Sequence, residues 1–278
     1  MSDINCRMPA VALRGLVCLP DMILHFDVSR KKSIAALEAA MVKDQMVFLV
    51  AQKDPDEEDP KQEDLYTAGA MAKVKQIVKM PENMVRVVAE GKFRAELDEM
   101  ISVSPYLLTD VIIHDREEKV ENENEAEAMR RVLEEIVQKF IDAGAKFGPE
   151  ITRQMEQAED IVKLTNQLCA NMPMRWQDRQ TLAEKMDFRE RYEELCRIME
   201  KEYDVLLINQ DIQNKVKSRL EKNQRDYVLR EQMKLIREEL GDDMQSEIDE
   251  YEKKLEELKA PDVVKEKLEK EISRFKAS

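Results

Sequence analysis

Residues 65–98 read LYTAGAMAKVKQIVKMPENMVRVVAEGKFRAELD. Three runs in this stretch alternate with a period of two. Tyr66, Ala68, Ala70, Ala72 and Val74 fall on one face, with Lys73 and Lys75 on the other. Val85, Val87 and Ala89 share a face in the next run. After Gly91, the residues Phe93, Ala95 and Leu97 point inward, and Lys92, Arg94, Glu96 and Asp98 point outward. Successive side chains leave opposite sides of a strand, so the pattern predicts half-buried strands joined by tight turns. The turn between the first two runs is Met80-Pro81-Glu82-Asn83-Met84. It sets two methionines where polar residues are normal.

The flanking sequence extends this β-rich reading over the first 115 residues. Pro9 to Leu19 is apolar, punctuated by Gly15 and Pro20, and reads as an extended first strand. Ser33 is placed to cap a short helix whose face carries Ile34, Leu37 and Met41. Met46 to Ala51 is a continuous apolar run of strand length, the pattern of a strand buried on both faces. Asp54 to Asp64, with two prolines and seven acidic residues, reads as a solvated loop; without glycine or alternating ligands it does not match a calcium loop. Leu107 to Ile113 supplies another strand. Runs this short predict a small antiparallel barrel or folded sheet.

The texture changes near Asp115. Ala126, Met129, Leu133, Ile136 and Phe140 recur every three or four residues until Gly144, Gly148 and Pro149 intervene. Helices are predicted from Glu150 to Ala170 and from Asp178 to Met186, with Met172-Pro173-Met174 as the turn between them. A helical bundle is the simplest way to bury such stripes. Asp187 then reads as an N-cap with Glu190 as its capping-box partner. No proline or glycine follows until Gly241, placed as the residue just past a helix end. Tyr192, Leu195 and Met199 form one stripe; Ile208, Ile212, Val216 and Leu220 a second; Leu229, Met233, Ile236 and Leu240 a third. A helix from 201 to 240 would be about 60 Å long, more than a domain's width, so part of it must face solvent or another chain. Two helices with thin apolar stripes follow, one through Ile248, Tyr251, Leu255 and Leu258, one through Val264, Leu268 and Ile272.

The chemistry-bearing residues argue against an enzyme. The six glycines of the 278 residues are scattered singly, which excludes a glycine-rich phosphate loop, and there is no G-x-S-x-G elbow. Cys6, Cys18, Cys169 and Cys196 have no metal-binding spacing, and His25 and His114 lie far apart in apolar strand contexts. Free, reduced thiols of a cytoplasmic protein are the simplest reading. No cofactor and no metal are expected. With 37% charged residues and a net charge of −14, the general surface repels nucleic acid and anionic lipid, so neither is an expected partner. No apolar stretch nears the ~20 residues of a membrane span.

Binding remains, and methionine points to it. Seventeen methionines is a heavy share, and this flexible, polarizable side chain suits surfaces that accept varied apolar partners. Met129, Met155 and Met199 fall on helix stripes and read as core. The candidate contact residues are Met80, Pro81 and Met84 in the turn, Pro20 and Met22 after the first strand, and Tyr227, Leu229 and Met233 on the long helix.

Several segments resemble the N-terminal region of bacterial Lon proteases. Leu13-Arg14-Gly15-Leu16-Val17-Cys18-Leu19-Pro20 is similar to the family's opening strand, and Ser29 to Leu37 to its first helix. Phe48 to Lys53 followed by Asp64 to Gly69 matches the next pair of strands. Gln224-Arg225-Asp226-Tyr227-Val228-Leu229-Arg230-Glu231-Gln232-Met233-Lys234, closing with Glu239-Leu240-Gly241, resembles the long-helix signature. The resemblance implies an α+β fold: a β-rich, PUA-like pseudo-barrel over 1–116, an α-helical bundle over 117–200, a long projecting helix over 201–241 and a helical linker over 242–278. It implies recognition of misfolded or regulatory proteins by their exposed hydrophobic segments, and delivery to a hexameric, cytoplasmic AAA+ serine protease. The ATPase module, which would use ATP and Mg, and the Ser-Lys peptidase lie outside these residues, so no catalytic residue carries over and the chain is expected to be a fragment. Its implied partners are unfolded or damaged proteins and other Lon subunits. The alternative is a structural, oligomerising spacer without substrate selection. A nucleic-acid binder, suggested by PUA-like folds elsewhere, conflicts with the acidic charge.

Overall fold

The computed structural model describes residues 4–81, 83–115, 118–145, 153 and 157–277. The chain divides into two compact units, Met1–Leu207 and Ile208–Ser278.

Six strands form one sheet in the first unit: β1 (Ile4–Leu13), β2 (Ile23–Val28), β3 (Met46–Gln52), β4 (Leu65–Lys79), β5 (Val85–Ser102) and β6 (Leu107–His114). Their order is β2-β5-β4-β3-β1-β6, and β5 also pairs with β6, which closes five of them into a barrel and leaves β2 outside on β5. Closure uses the length of β5. Its first part pairs β4 and β2 together, and from Arg94 to Ser102 it pairs β6. The barrel is mixed rather than antiparallel, because β1 and β3 run parallel. Parallel neighbours need a crossover, and β2 with helix α1 (Lys31–Val42) supplies it.

Barrel burial follows the two-residue period closely. Ala68, Ala70, Ala72 and Val74 are buried, as are Val85, Val87 and Ala89, and β3 is buried from Val47 to Gln52. The first strand differs from expectation: it ends at Leu13, and Val17, Cys18 and Leu19 follow as a buried connection. Helix α1 starts without a side-chain cap; Ser33 lies inside it and is buried beside Ala36, Leu37 and Ala40, while Met41 turns outward.

The helical layer holds α2 (Glu123–Asp142), α3 (Ile161–Asn171), α4 (Trp176–Glu184) and the start of α5 (Phe188–Glu257). Asn122 caps α2 and Asp160 caps α3, each by accepting backbone N–H bonds. Asp187 caps α5 through the N–H groups of Arg189 and Glu190. The helix expected from Glu150 is described from Ile161; Gly148, Pro149 and Met155 lie outside the described residues. Leu133, Ile136, Phe140, Leu164, Leu168, Leu195 and Met199 share one core with Val17, Leu19, Ala51 and Ala68 of the barrel. Edge-to-face packing of Tyr66 on Trp176 and a bond from Gln180 to the Ala68 carbonyl (3.2 Å) fasten α4 to β4.

The principal departure from the alternating pattern is Arg94, expected outward but buried at 6% exposure. It donates to the carbonyls of Leu182 (3.1 Å) and Ala183 (3.5 Å) in the last turn of α4, groups with no partner within the helix. Arg191 of α5, fully buried, donates to the carbonyls of Lys185 and Met186 (3.0 and 3.2 Å) and pairs with Glu118. Two guanidiniums thus hold the α4–α5 turn against the barrel. Burial, and next the charge of Arg191, push the Arg94 pKa down to about 10, so it stays charged at neutral pH.

In the second unit α5 continues through Gly241 to Glu257, and α6 (Asp262–Ala277) follows. The expected stop at Gly241 does not occur: glycine costs a helix about 1 kcal/mol relative to alanine, which does not end one. Every side chain from Asp211 to Ile236 is exposed.

A Cβ on Gly91 would lie 2.0 Å from the Leu19 carbonyl oxygen. Gly91→Ala should therefore lower unfolding stability in urea by about 2–3 kcal/mol. Arg191→Met strands two buried carbonyls and a half-buried carboxylate, and should cost about 3 kcal/mol or more. Arg7→Met, which breaks the exposed pair with Asp110, should cost no more than about 1 kcal/mol in the same assay.

Candidate functional site

The Met80–Met84 turn closes the β4–β5 hairpin just beyond the Lys79↔Val85 pair. Met80 N–H donates to the Met84 carbonyl at 2.8 Å, and Met84 N–H donates to the Pro81 carbonyl at 3.3 Å. Asn83 takes the left-handed conformation (φ 56°) that such a turn demands and that asparagine tolerates. Backbone bonds therefore hold the turn. Met80 and Met84 are half-buried and Pro81 is exposed. Glu82 lies outside the described residues. Val78, just before the turn, is also exposed.

Pro20 and Met22 occupy the loop entering β2. Asp21 N–H donates to the Gly91 carbonyl (3.0 Å), and Gly91 N–H donates to the Met22 carbonyl (2.9 Å), which locks this loop onto β5. Pro20 is half-buried, and Met22 packs against both the helical and the barrel cores, so much of its side chain serves packing. The exposed apolar neighbour is Ile23, at 63%. The two groups are not adjacent. Ile23 pairs with Glu90 and Val28 with Val85, so β2 separates them by about 20 Å at ~3.4 Å per residue.

Tyr227, Leu229 and Met233 lie in the second unit, exposed at 65%, 49% and 55%. Leu229 and Met233 are four residues apart and share a helix face with Ile236; Tyr227 is about 200° around from Leu229. Three residues taken together from the sequence therefore belong to two faces.

Sequence reading missed a cleft of about 1000 Å3 in the first unit, between the β5–β6 end of the barrel and the start of α5. Arg94, Glu96, His114, Glu118 and Arg189 line it. Its charges pair off locally: His114 Nε2 lies 2.8 Å from Glu96, and Arg189 binds Glu125, whose carboxyl it holds below the usual range. Alternation placed Arg94 outside, and no local signal marks the α4 carbonyls that draw it in.

All four cysteines are free. Burial pushes the thiol of Cys18 up to about 12 and that of Cys169 up to about 11, so neither forms a nucleophilic thiolate near neutral pH. Among the described residues no three His, Cys, Asp or Glu side chains converge as a metal site, and no helix is long and apolar enough to cross a membrane.

Comparison with known proteins accounts for this arrangement. Residues 7–201 match the family model of the ATP-dependent protease La (LON) substrate-binding domain. The chain is 43% identical over 276 residues to a Lon protease of Lachnoclostridium phytofermentans, covering 99% of this chain and 34% of that one. It is 39% identical over 271 residues to a Lon protease of Brevibacillus choshinensis, covering 97% and 34% respectively. The chain thus spans about a third of the length of these curated relatives. The N-terminal domain of Mycobacterium avium complex Lon protease has the same fold, with a TM-score of 0.53 at 16% identity over 70% of this chain and 98% of that one. A family match over most of the barrel and helical layer, with whole-chain similarity to named relatives, places this chain in the Lon protease family, as its N-terminal substrate-binding region.

Proposed function

We propose that this chain recognises exposed apolar segments of misfolded or regulatory proteins and delivers them to the ATPase and Ser-Lys peptidase modules of a Lon protease. The observation that carries the reading is the Met80–Met84 turn. Its backbone bonds close it, and its two methionine side chains, large and apolar, remain partly exposed at the hairpin end. Flexible thioether side chains suit a substrate class without fixed sequence. The exposed Leu229 and Met233 on α5 offer a second apolar contact of the same kind. In this reading catalysis, ATP and Mg belong to the other modules of a cytoplasmic hexamer, and the residues here hold polypeptide only.

The test is binding of a permanently unfolded, labelled model protein to wild type and to Met80→Ser, Met84→Ser, with circular dichroism to check that the variant folds. Loss of two partly buried thioethers from the contact is expected to weaken binding roughly tenfold. Equal binding by the two proteins, or none by the wild type, removes the turn from substrate recognition.

A further inference from the structure

Strand β2 has a single strand neighbour, β5, and among the described residues no other strand pairs with its outer edge. An unpaired edge presents a row of N–H and C=O groups. Folded proteins usually blunt it with lysine, proline or a bulge. The end of β4 beyond Lys73 is blunted in that way, with Lys75 and Lys79 and a register shift between Val74 and Gln76. Strand β2 is not. Its sequence ILHFDV has no lysine, proline or glycine, and its register with β5 runs unbroken through all six residues. Its one acid, Asp27, sits opposite Arg86 and accepts two bonds from it (2.8 and 2.9 Å), so that charge is neutralised from the β5 side. Ile23, at the start of the strand, is exposed at 63%.

The position of this edge matters as much as its chemistry. It begins directly after the Pro20–Met22 loop, and it ends at Val28, opposite Val85 and so beside Met84. We infer that the β2 edge accepts an extended segment of unfolded polypeptide as an added strand, running between the Pro20–Met22 loop and the Met80–Met84 turn. The inference rests on the substrate-recognition reading and gives it a chemistry. A row of backbone hydrogen bonds reads no sequence, which fits a substrate defined by being unfolded, and the apolar groups at either end favour segments normally buried in a core. About 20 Å of strand, six residues, fits between the two turns.

The experiment uses a labelled apolar peptide cut from a permanently unfolded model protein, and two versions N-methylated at alternate backbone amides in opposite phase. N-methylation removes donors and leaves the side chains unchanged. With this 278-residue chain, one phase is expected to bind at least tenfold more weakly than the parent and the other close to it. Hydrogen–deuterium exchange should slow across residues 23–28 on adding the parent peptide. Equal binding by all three peptides overturns strand addition and leaves apolar recognition standing. Failure of the parent peptide to bind overturns both readings. Exchange over 23–28 that slows with protein concentration alone gives the edge to a second copy of the chain, and that also overturns the inference.

Discussion

The fold of the first unit depends on one strand serving three partners. Strand β5 pairs with β4 and β2 along its first part and with β6 along its second. Without the second pairing the sheet would stay open, and without the first the hairpin that presents Met80 and Met84 would lose its base. Gly91, where β5 passes the Leu19 carbonyl, has no room for a side chain. Three residues later Arg94 reaches α4. The strand therefore sets barrel closure, the seat of the Pro20–Met22 loop and the docking of the helical layer.

Charge is used differently in the two units. In the first, buried guanidiniums satisfy helix-end carbonyls, which no apolar side chain could do, at the cost of desolvating two cations. In the second, the ion pairs on α5, such as Lys215 with Asp211, are exposed and contribute little individually. Their role is to keep in water a helix that also exposes Ile212, Val216 and Leu220.

Local periodicity carried much of the architecture. Ala68, Ala70, Ala72, Val74, Val85, Val87, Ala89, Ala95 and Leu97, and the stripe Leu133, Ile136 and Phe140, are buried as their spacing requires, because one core face per element is enough to create the pattern. Two helix boundaries differ from the pattern. Ser33, in a capping context by sequence, lies buried inside α1, which begins two residues earlier, and α5 runs on through Gly241 because glycine's cost in a helix is small. Of the candidate contacts, the Met80–Met84 turn was legible because methionine is unusual in a turn. The half-buried state of Met22 was not, because it depends on two cores meeting at that loop.

Local composition, spacing and motif are enough for the strand and helix content, the helical half after Asp115, the acidic net charge and the family. Long-range pairing is what makes β1 and β3 parallel, lets β5 close the barrel, buries Arg94 and, among the described residues, leaves β2 with one strand neighbour. Each of these depends on which backbone groups meet across long stretches of chain. A strand's side-chain pattern records which face is buried but not which neighbour satisfies its hydrogen bonds.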